Sequence, residues 1–416
     1  MTGRDRESRQ RLGAVVLAVL ISQVLLYPGV PALVGALGAP GGINAGMWFL
    51  VAEFAAFVAF AVMWGAASDA LGRRVPLIVI GAFGGAAAYI GLAVLPTFGF
   101  GFSAVLIVRA AGGAMTIGAF SLSITMLMDL RGGNGRNMGV AGLAIGLGAA
   151  IGSVIGGVLA DLGTFYPVYA GAAVLVTAGL LTVTVDDRPV GGADIGTPDI
   201  GDPDVDVSAV VDRIRQTPGL LVPLAFGFVD RLTAGFFALV GVYYFQDPQT
   251  FGLSATAAGA TLALFFIPFA LLQSPLGALS DRVGRFVPIV AGSIAYGIVT
   301  VGVGLAPIYP VAAGLMVLVG VCGALMAPAT MALVTDLVEP AARGAAMGLF
   351  NVFGSLGFLA GFLIGGTVTE VFGYTAAFFA VGGLELVIAI LLFPAVRSLA
   401  PHNGLFGRSL GVDDPP

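Results

Sequence analysis

The chain has 416 residues, of which 58% are hydrophobic and only 10% charged, and its mean hydropathy is +1.02. A soluble core cannot bury so much apolar surface, so the composition excludes a soluble domain and indicates a chain that crosses a membrane many times. The net charge of −5 argues against a nucleic-acid partner.

The polar residues have an unusual composition. All eighteen basic residues are arginine, and the polar segments are rich in aspartate. We interpret this as the composition of a halophilic prokaryote; a GC-rich genome that favours Arg codons is the alternative. Cys322 is the only cysteine, which excludes an internal disulfide, and the only histidine, His402, lies in the polar C-terminal tail. We therefore predict no histidine-based metal site and no cofactor.

The N-terminus has a polar segment, 1–11, with four arginines, followed by an apolar run over 12–37. A cleavable signal peptide has the same order of features. The run is long for a signal peptide, and its removal would leave eleven spans in a chain that repeats as two sets of six. We therefore predict that it is the first membrane span.

Eleven further windows of about twenty apolar residues predict the remaining spans. They cover residues 46–67, 75–95, 101–128, 138–160, 165–185, 218–246, 255–279, 287–306, 309–335, 344–369 and 374–396. Sixteen of the 18 arginines lie in the two tails, the central segment and the even-numbered loops, and the odd-numbered loops hold none. By the positive-inside rule, this distribution places both termini in the cytoplasm.

The spans form two groups of six. Residues 1–185 are predicted to form an N-terminal six-helix bundle and residues 218–396 a C-terminal one, with a cytoplasmic tail over 397–416. Between the bundles, residues 186–217 are rich in Asp, Gly and Pro, which is typical of a solvated, acidic cytoplasmic linker. A regulatory partner site in this linker is the alternative.

A repeated segment supports the division into halves, because residues 65–77 recur 212 positions later as residues 277–289. The shared residues include Gly65, Ser68, Asp69, Gly72, Arg73, Val75 and Pro76, which recur as Gly277, Ser280, Asp281, Gly284, Arg285, Val287 and Pro288. The first Gly and the Asp share one helix face, the second Gly supports a turn, and the Arg supplies a cation. Each copy therefore predicts a short charged hinge between two spans.

Both hinges resemble the loop signature G-x-x-x-D-x-x-G-R-R of the major facilitator superfamily, a family of twelve-helix secondary transporters. The resemblance implies an all-α integral membrane protein with twelve transmembrane helices in two pseudo-symmetric six-helix bundles. It also implies alternating access between the halves, without ATP. Asp69 is expected to pair across the cytoplasmic face and to help hold the inside closed.

A second repeated block, 138–161, recurs 209 positions later. Its glycines Gly148, Gly152, Gly156 and Gly157 form a smooth stripe suited to close helix packing. The stripe resembles the antiporter signature on the fifth helix of the superfamily, although Ser153 stands where that signature has Pro. Ordinary packing and a role in proton-coupled export both remain open.

Charged residues also repeat at the cytoplasmic ends of spans. Asp129 and Arg136 close the fourth span and open the fifth, and Asp336 and Arg343 occupy the matching places 207 positions later. Each acid is expected to pair with the arginine that follows it, as the inner gate charges of the family do. Anchoring of the topology by interfacial charge is the alternative.

Four charges inside the spans are the candidates for coupling. Arg109 lies in the fourth span, where inserting a charge into the membrane costs about 2.5–3.5 kcal/mol. Arg109 and Gly113 together resemble the fourth-helix signature of the family, whose arginine is associated with proton coupling. Asp230 and Arg231 lie near mid-membrane in the seventh span and point roughly 100° apart. We expect Asp230 to face the central cavity and to titrate, with Arg109 as its modulator across the cavity, while Arg231 pairs with another helix. A structural Asp230–Arg231 ion pair is the alternative, and Glu53 of the second span is the fourth candidate.

Other intramembrane residues have less certain roles. Glu385 in the twelfth span is expected to pair at the periphery, because the resemblance implies a cavity lined mainly by the first, fourth, seventh and tenth helices. Aromatic residues of the seventh span either contact an apolar or cationic substrate or simply pack. These are Phe226, Phe236, Phe237, Tyr243 and Tyr244.

No nucleophile–base pair, metal cluster or phosphate-binding loop is evident in the sequence, so an enzyme is not predicted. We predict a monomeric secondary transporter in the lipid bilayer of the plasma membrane, with a small-molecule substrate and protons as the coupling ion. The few polar side chains in the spans favour efflux of hydrophobic or multidrug-like compounds. Symport uptake of a small metabolite is the first alternative, and a membrane receptor or scaffold without transport is the second.

Overall fold

In the computed structural model, which describes residues 3–130, 134–187, 217–339 and 342–399, every regular element is a helix. The N-terminal half contains α1 (Gly3–Val24), α2 (Val30–Ala36), α3 (Ile43–Leu71), α4 (Val75–Val94), α5 (Phe102–Met128), α6 (Asn134–Leu162) and α7 (Tyr166–Val183). The C-terminal half contains α8 (Leu221–Phe236), α9 (Val242–Gln246), α10 (Ala255–Val283), α11 (Phe286–Gly304), α12 (Tyr309–Asp336) and α13 (Arg343–Leu399). A π-helical turn, Phe237–Gly241, joins α8 to α9.

Local sequence signals explain several helix ends. Pro76, Pro167 and Pro310 lie in the first turns of α4, α7 and α12, where a missing backbone N–H costs nothing. Ser254 caps α10, its side chain accepting a hydrogen bond from the N–H of Ala257 (3.3 Å). These residues therefore help to set where the four helices begin.

Within the described residues, eleven helices are long and apolar enough to cross a membrane. The count of twelve spans remains a prediction, because α13, counted once, covers the regions of the last two predicted spans. Its helical pattern is broken at Gly373, where φ is 84° and ψ is 174°. The structure is thus that of a multi-pass helical membrane protein.

Helices of each half pack mainly on one another. In the N-terminal half, α1 packs on α5, α6 and α7, and α4 packs on α5 and α7. In the C-terminal half, α8 packs on α13, and α12 packs on α10 and α11. The halves meet along two helix pairs, α6 with α10 and α3 with α13.

The predicted glycine stripe of α6 faces α1. A Cβ atom on Gly148 would lie 2.8 Å from the Leu20 Cβ in α1. A Cβ atom on Gly152 would lie 2.9 Å from the backbone oxygen of Ile21, also in α1. A Cβ on Gly156 would overlap the backbone carbonyl of Leu25, whereas Gly157 faces the start of α10. The stripe therefore lets two backbones approach more closely than any other residue allows.

Polar contacts join the halves where α6 ends and α10 begins. The Asp161 carboxylate of α6 accepts hydrogen bonds from the backbone N–H groups of Ala255 (3.0 Å) and Thr256 (2.9 Å). Nearby, Gln246 Nε2 donates to the Pro28 carbonyl (2.8 Å). These contacts lie at the helix ends that the arginine distribution assigns to the outside of the cell.

Candidate functional site

Arg109 of α5 forms a buried ion pair with Glu53 of α3. Arg109 Nη2 donates to Glu53 Oε2, and the arginine side chain is only 1% exposed. Its guanidinium also lies 4.6 Å from the ring centroid of Phe49 and 5.5 Å from that of Tyr89, so the charge forms cation–π interactions with both rings. Gly113, one turn along α5, packs against the Glu53 backbone at a spot where a Cβ would overlap the carbonyl.

The Arg109–Glu53 ion pair bears on the predicted role of Arg109 as a modulator of Asp230. Arg109 and Glu53 were predicted separately, and the structure brings them together. The charged and aromatic partners of Arg109 belong to α3 and α4, not to the C-terminal half. No contact among the described residues joins Arg109 to Asp230, so the expected action of Arg109 on Asp230 across the cavity remains a prediction.

In α8, Asp230 is buried and Arg231 is not. The Asp230 side chain lies inside the C-terminal half, facing Gly323 of α12, while the Arg231 side chain is 47% exposed. Arg231 Nε lies 3.8 Å from Asp230 Oδ2. Arg231 thus contacts the neighbouring Asp230, as in the alternative of a structural ion pair, and the orientation of Asp230 toward the central cavity remains a prediction. The short carboxylate stays inside the bundle, whereas the long arginine side chain can reach out of it.

Glu385 of α13 is also buried inside the C-terminal half rather than at its periphery. Ser293 Oγ of α11 donates to Glu385 Oε1 (2.5 Å), and Thr233 Oγ1 of α8 lies 3.4 Å from Glu385 Oε2. The hydroxyl of Tyr296, on α11, is buried nearby without a hydrogen-bond partner among the described residues. Asp230 and Thr233 are three positions apart, so the same face of α8 presents both.

Both predicted hinges lie where one helix ends and the next begins. Gly65 and Gly277 lie inside α3 and α10, one turn before the hinge carboxylates. Gly72 and Gly284 follow these helices with φ of 65° and 86°, a region that glycine adopts without strain. The chain can therefore reverse within about three residues.

In the hinge of the C-terminal half, Arg285 binds two carboxylates. It donates to Asp281 Oδ1 (2.5 Å) and to Asp336 Oδ2 (3.1 Å), and also to Ser280 Oγ (2.7 Å). Partial burial alone would lower the pKa of Arg285, but the hydrogen bonds to Asp281 and Asp336 outweigh it, so the pKa is raised. The guanidinium thus stays charged and ties the hinge to the end of α12.

In the hinge of the N-terminal half, the neighbouring arginine takes this role. Arg74 Nη1 donates to Asp129 Oδ2 at the end of α5, while Arg73 is exposed. Asp69 is exposed too, and its Oδ1 accepts a hydrogen bond from Oγ of the adjacent Ser68 (3.3 Å). Pairing of Asp69 across the cytoplasmic face remains a prediction.

Only one of the two predicted gate pairs lies within the described side chains. Arg343 Nε donates to the backbone carbonyl of Thr335 (3.3 Å) instead of to the carboxylate of Asp336. The side chain of Arg136 lies outside the described residues. Both gate acids, Asp129 and Asp336, bind the hinge arginines described above, because the hinge brings those arginines beside the helix ends. Pairing of Asp129 with Arg136 remains a prediction.

Sequence reasoning missed two acids that act through backbone amides. Asp161 links α6 to α10, and Asp187 Oδ1 accepts the N–H groups of Arg74 (3.2 Å) and Val75 (3.4 Å) at the start of α4. The only signal for Asp161 was its recurrence as Glu370 in the repeated block. Nothing in the sequence connects Asp187 with a hinge more than a hundred positions away.

The aromatic residues of the seventh span serve mostly as packing. The rings of Phe226, Phe236, Phe237 and Tyr244 are buried, and Phe236 contacts the Phe378 ring edge-on at a centroid distance of 4.9 Å. Only Tyr243 is partly exposed. Contact with substrate remains a prediction for that residue.

The paired hinges, the two helical halves and the buried intramembrane charges together define a multi-pass helical membrane protein built from two related halves. A family model described as the Major Facilitator Superfamily matches residues 12–247 and 232–408. The chain belongs to this superfamily.

Three relatives show the range of the similarity. The chain is 27% identical over 172 residues to an uncharacterized MFS-type transporter of Methanocaldococcus jannaschii, covering 41% of this chain and 44% of the relative. It is 27% identical to a probable L-galactonate transporter of Escherichia coli, covering 50% and 46%. It is also 27% identical to the multidrug efflux pump LfrA of Mycolicibacterium smegmatis, covering 38% and 32%. The matches thus span less than half of each relative.

Solved structures share the fold over almost the whole chain. A bacterial homolog of the human lysosomal transporter Spinster, in an inward-facing and unoccupied conformation, has a TM-score of 0.78 at 13% identity, covering 96% of this chain and 98% of that one. The human organic anion transporter MFSD10 (TETRAN) has a TM-score of 0.68 at 22% identity, covering 94% and 100%.

Proposed function

We propose that the protein is a proton-coupled exporter of small hydrophobic or multidrug-like compounds that works by alternating access. The relative LfrA, named as a multidrug efflux pump, supports the substrate class and direction. The observation that carries proton coupling is the burial of the Asp230 carboxylate inside the C-terminal half, beside a half-exposed arginine. A buried acid near a route to water can take up and release a proton as the surroundings change.

The proposed topology has twelve spans, with α13 crossing twice and Gly373 at the break between the crossings. The bundles are residues 1–185 and 218–396, joined by the cytoplasmic linker 186–217 and followed by the cytoplasmic tail 397–416. The protein would act as a monomer in the plasma membrane of a halophilic prokaryote. The contacts of Asp161 would then close the outer face, and Arg231 would be exposed to a cavity open to the cytoplasm.

Cysteine labelling tests this orientation. In a Cys322→Ala background, a cysteine in place of Thr97 should react with an impermeant maleimide added to intact cells, because that turn lies outside. A cysteine in place of Thr197, in the linker, should react only after the cells are opened. The reverse pattern would overturn the orientation.

Uptake of a small metabolite is the second candidate, favoured by the similarity to the probable L-galactonate transporter. Proteoliposomes with an imposed pH gradient separate the two directions. Hydrophobic fluorescent dyes should move against the proton flow in an exporter, whereas a sugar acid should move with it in a symporter. A membrane receptor or scaffold would show no flux of either.

Asp230→Asn is expected to abolish gradient-driven dye flux while leaving downhill dye exchange intact, because the amide cannot carry the proton. Flux measured in proteoliposomes at equal protein content checks this, with the exposed Glu339→Gln as the control. If Asp230 only neutralises Arg231, the double change Asp230→Asn with Arg231→Gln should partly restore flux. Full gradient-driven flux in the single variant would remove Asp230 from the mechanism and leave Glu53 as the next candidate.

A further inference from the structure

We propose that Glu385 and Asp230 form a two-carboxyl site that binds one proton between α8, α11 and α13, which makes Glu385 a second proton-coupling residue. The inference rests on the proposed proton coupling and extends it to a residue of the last span. It is carried by the buried hydroxyl contacts of Glu385 and by the imbalance of charge around it.

The contacts of Glu385 are of a kind that suits a carboxyl group in either protonation state. Ser293 Oγ donates to one carboxylate oxygen at 2.5 Å, and Thr233 Oγ1 lies 3.4 Å from the other. The Thr233 hydroxyl is also 3.2 Å from the Val229 carbonyl, so its single proton can turn either way. Glu385 is therefore held by neutral, rotatable groups and not by a cation.

The charged and titratable groups that face the site leave it one positive charge short. From α8 come Asp230 and Arg231, from α11 Tyr296, from α12 Cys322, and from α13 Glu385 itself. Phenol and thiol groups are ordinarily neutral near pH 7. Two carboxylates thus share one guanidinium, which is half exposed and 3.8 Å from Asp230. A buried carboxylate without a compensating charge is unfavourable, and a proton supplies that charge.

The N-terminal half provides the contrast. There Glu53 faces Arg109 in a closed one-to-one ion pair, so the pair is neutral without a proton. Only the C-terminal half buries more acid than base in its interior among the described residues. The titration should therefore take place around Glu385 and Asp230.

The hydroxyl group of Tyr296 is a further polar group near Glu385 and Asp230. Tyr296 is fully buried, lies within electrostatic range of both acids, and its oxygen has no hydrogen-bond partner among the described residues. Such a group can donate to an ionised carboxylate or accept from a protonated one. A proton fits this site better than a metal ion, because no described group of three or more acidic, histidine or cysteine side chains could hold a metal.

The proton transfer is simple. On binding, a proton from water forms an O–H bond with one carboxylate oxygen, and the site changes from net negative to neutral. On release, that bond breaks and the proton returns to water. In this proposal, water would reach Asp230 from the side of the half-exposed Arg231.

Infrared titration of the purified full chain tests the site directly, through the carbonyl stretch of protonated carboxylic acids. One band that titrates in the wild type should be lost in Glu385→Gln, whose amide can keep accepting from Ser293. The midpoint of that band should move in Asp230→Asn, because the two acids share the proton. Glu370→Gln, which changes an exposed acid on the same helix, should leave band and midpoint unchanged. A full set of bands in Glu385→Gln, or an unmoved midpoint in Asp230→Asn, would overturn the proposal.

Flux measurements separate this inference from the proposed function. Glu385→Gln should lose gradient-driven dye flux in proteoliposomes and keep downhill exchange. If dye flux in the wild type does not depend on the imposed pH gradient, proton coupling is refuted. The infrared titration would still decide whether Glu385 and Asp230 share a proton. Flux driven by sodium in place of choline, and lost in Glu385→Gln, would make this a sodium site and overturn the proton assignment. If Glu385→Gln does not fold, Ser293→Ala should shift the midpoint of the same band, and an unmoved midpoint there would also contradict the site.

Discussion

Arg109→Gln should lower the free energy of unfolding by about 3–5 kcal/mol, which is the usual effect of removing one partner from a buried ion pair. The change leaves the Glu53 carboxylate inside the N-terminal half without its cation, and it removes the charge that lies over the Phe49 and Tyr89 rings. Loss of the monodisperse peak after heating in detergent measures the effect.

Two further variants distinguish charge from shape at this site. The double change Arg109→Gln with Glu53→Gln should recover most of the lost stability, because no buried charge remains. Arg109→Lys should recover only part of it, since an ammonium group cannot reproduce the planar fork or its stacking. A single Arg109→Gln variant as stable as the wild type would show that the ion pair does not hold this half together.

Gly156→Ala should destabilise the protein by about 1–3 kcal/mol, the range typical of overpacking a tight interface. The new methyl group would overlap the Leu25 carbonyl, and backbone, unlike a flexible side chain, cannot turn aside. α6 would have to move away from the chain just beyond α1. Thermal unfolding in detergent measures the loss.

The matched control for this prediction lies in the same helix. A Cβ on Gly139 would meet nothing within 4 Å, so Gly139→Ala should be neutral or slightly stabilising, given the better helix propensity of alanine. Equal effects of the two substitutions would mean that the stripe is not a packing surface.

Most of the fold could be predicted from hydropathy and repetition. Long apolar runs have few ways to satisfy their backbone except as helices, and the repeated hinges indicated two related halves. The predicted break between 344–369 and 374–396 coincides with Gly373 inside α13. Gly373 interrupts the helical backbone of α13 at that position, and separate membrane crossings by its two stretches remain a prediction.

The partners of the charged residues were much harder to predict. Apolar residues cover most of the surface of a membrane helix, so the sequence does not show that Asp230 points inward and Arg231 outward. The pairing of Glu53 with Arg109 and of Glu385 with Ser293 depends on how separate helices rotate against one another. At the hinge, the repeat suggested Arg73, but the turn carries its neighbour Arg74 to Asp129 instead.

The carboxylate of Asp161 binds the opposite half through two kinds of donor, and most mutations can remove only one kind. The backbone N–H groups of Ala255 and Thr256 stay in place under any substitution except proline, which lacks the N–H group. The side chains of Thr256 and Ser254 also bond to the carboxylate, so a substitution there removes a donor. Substitutions at Asp161, Ser254 or Thr256 should therefore weaken a contact that holds the halves too tightly, whereas substitutions at Ala255 should not.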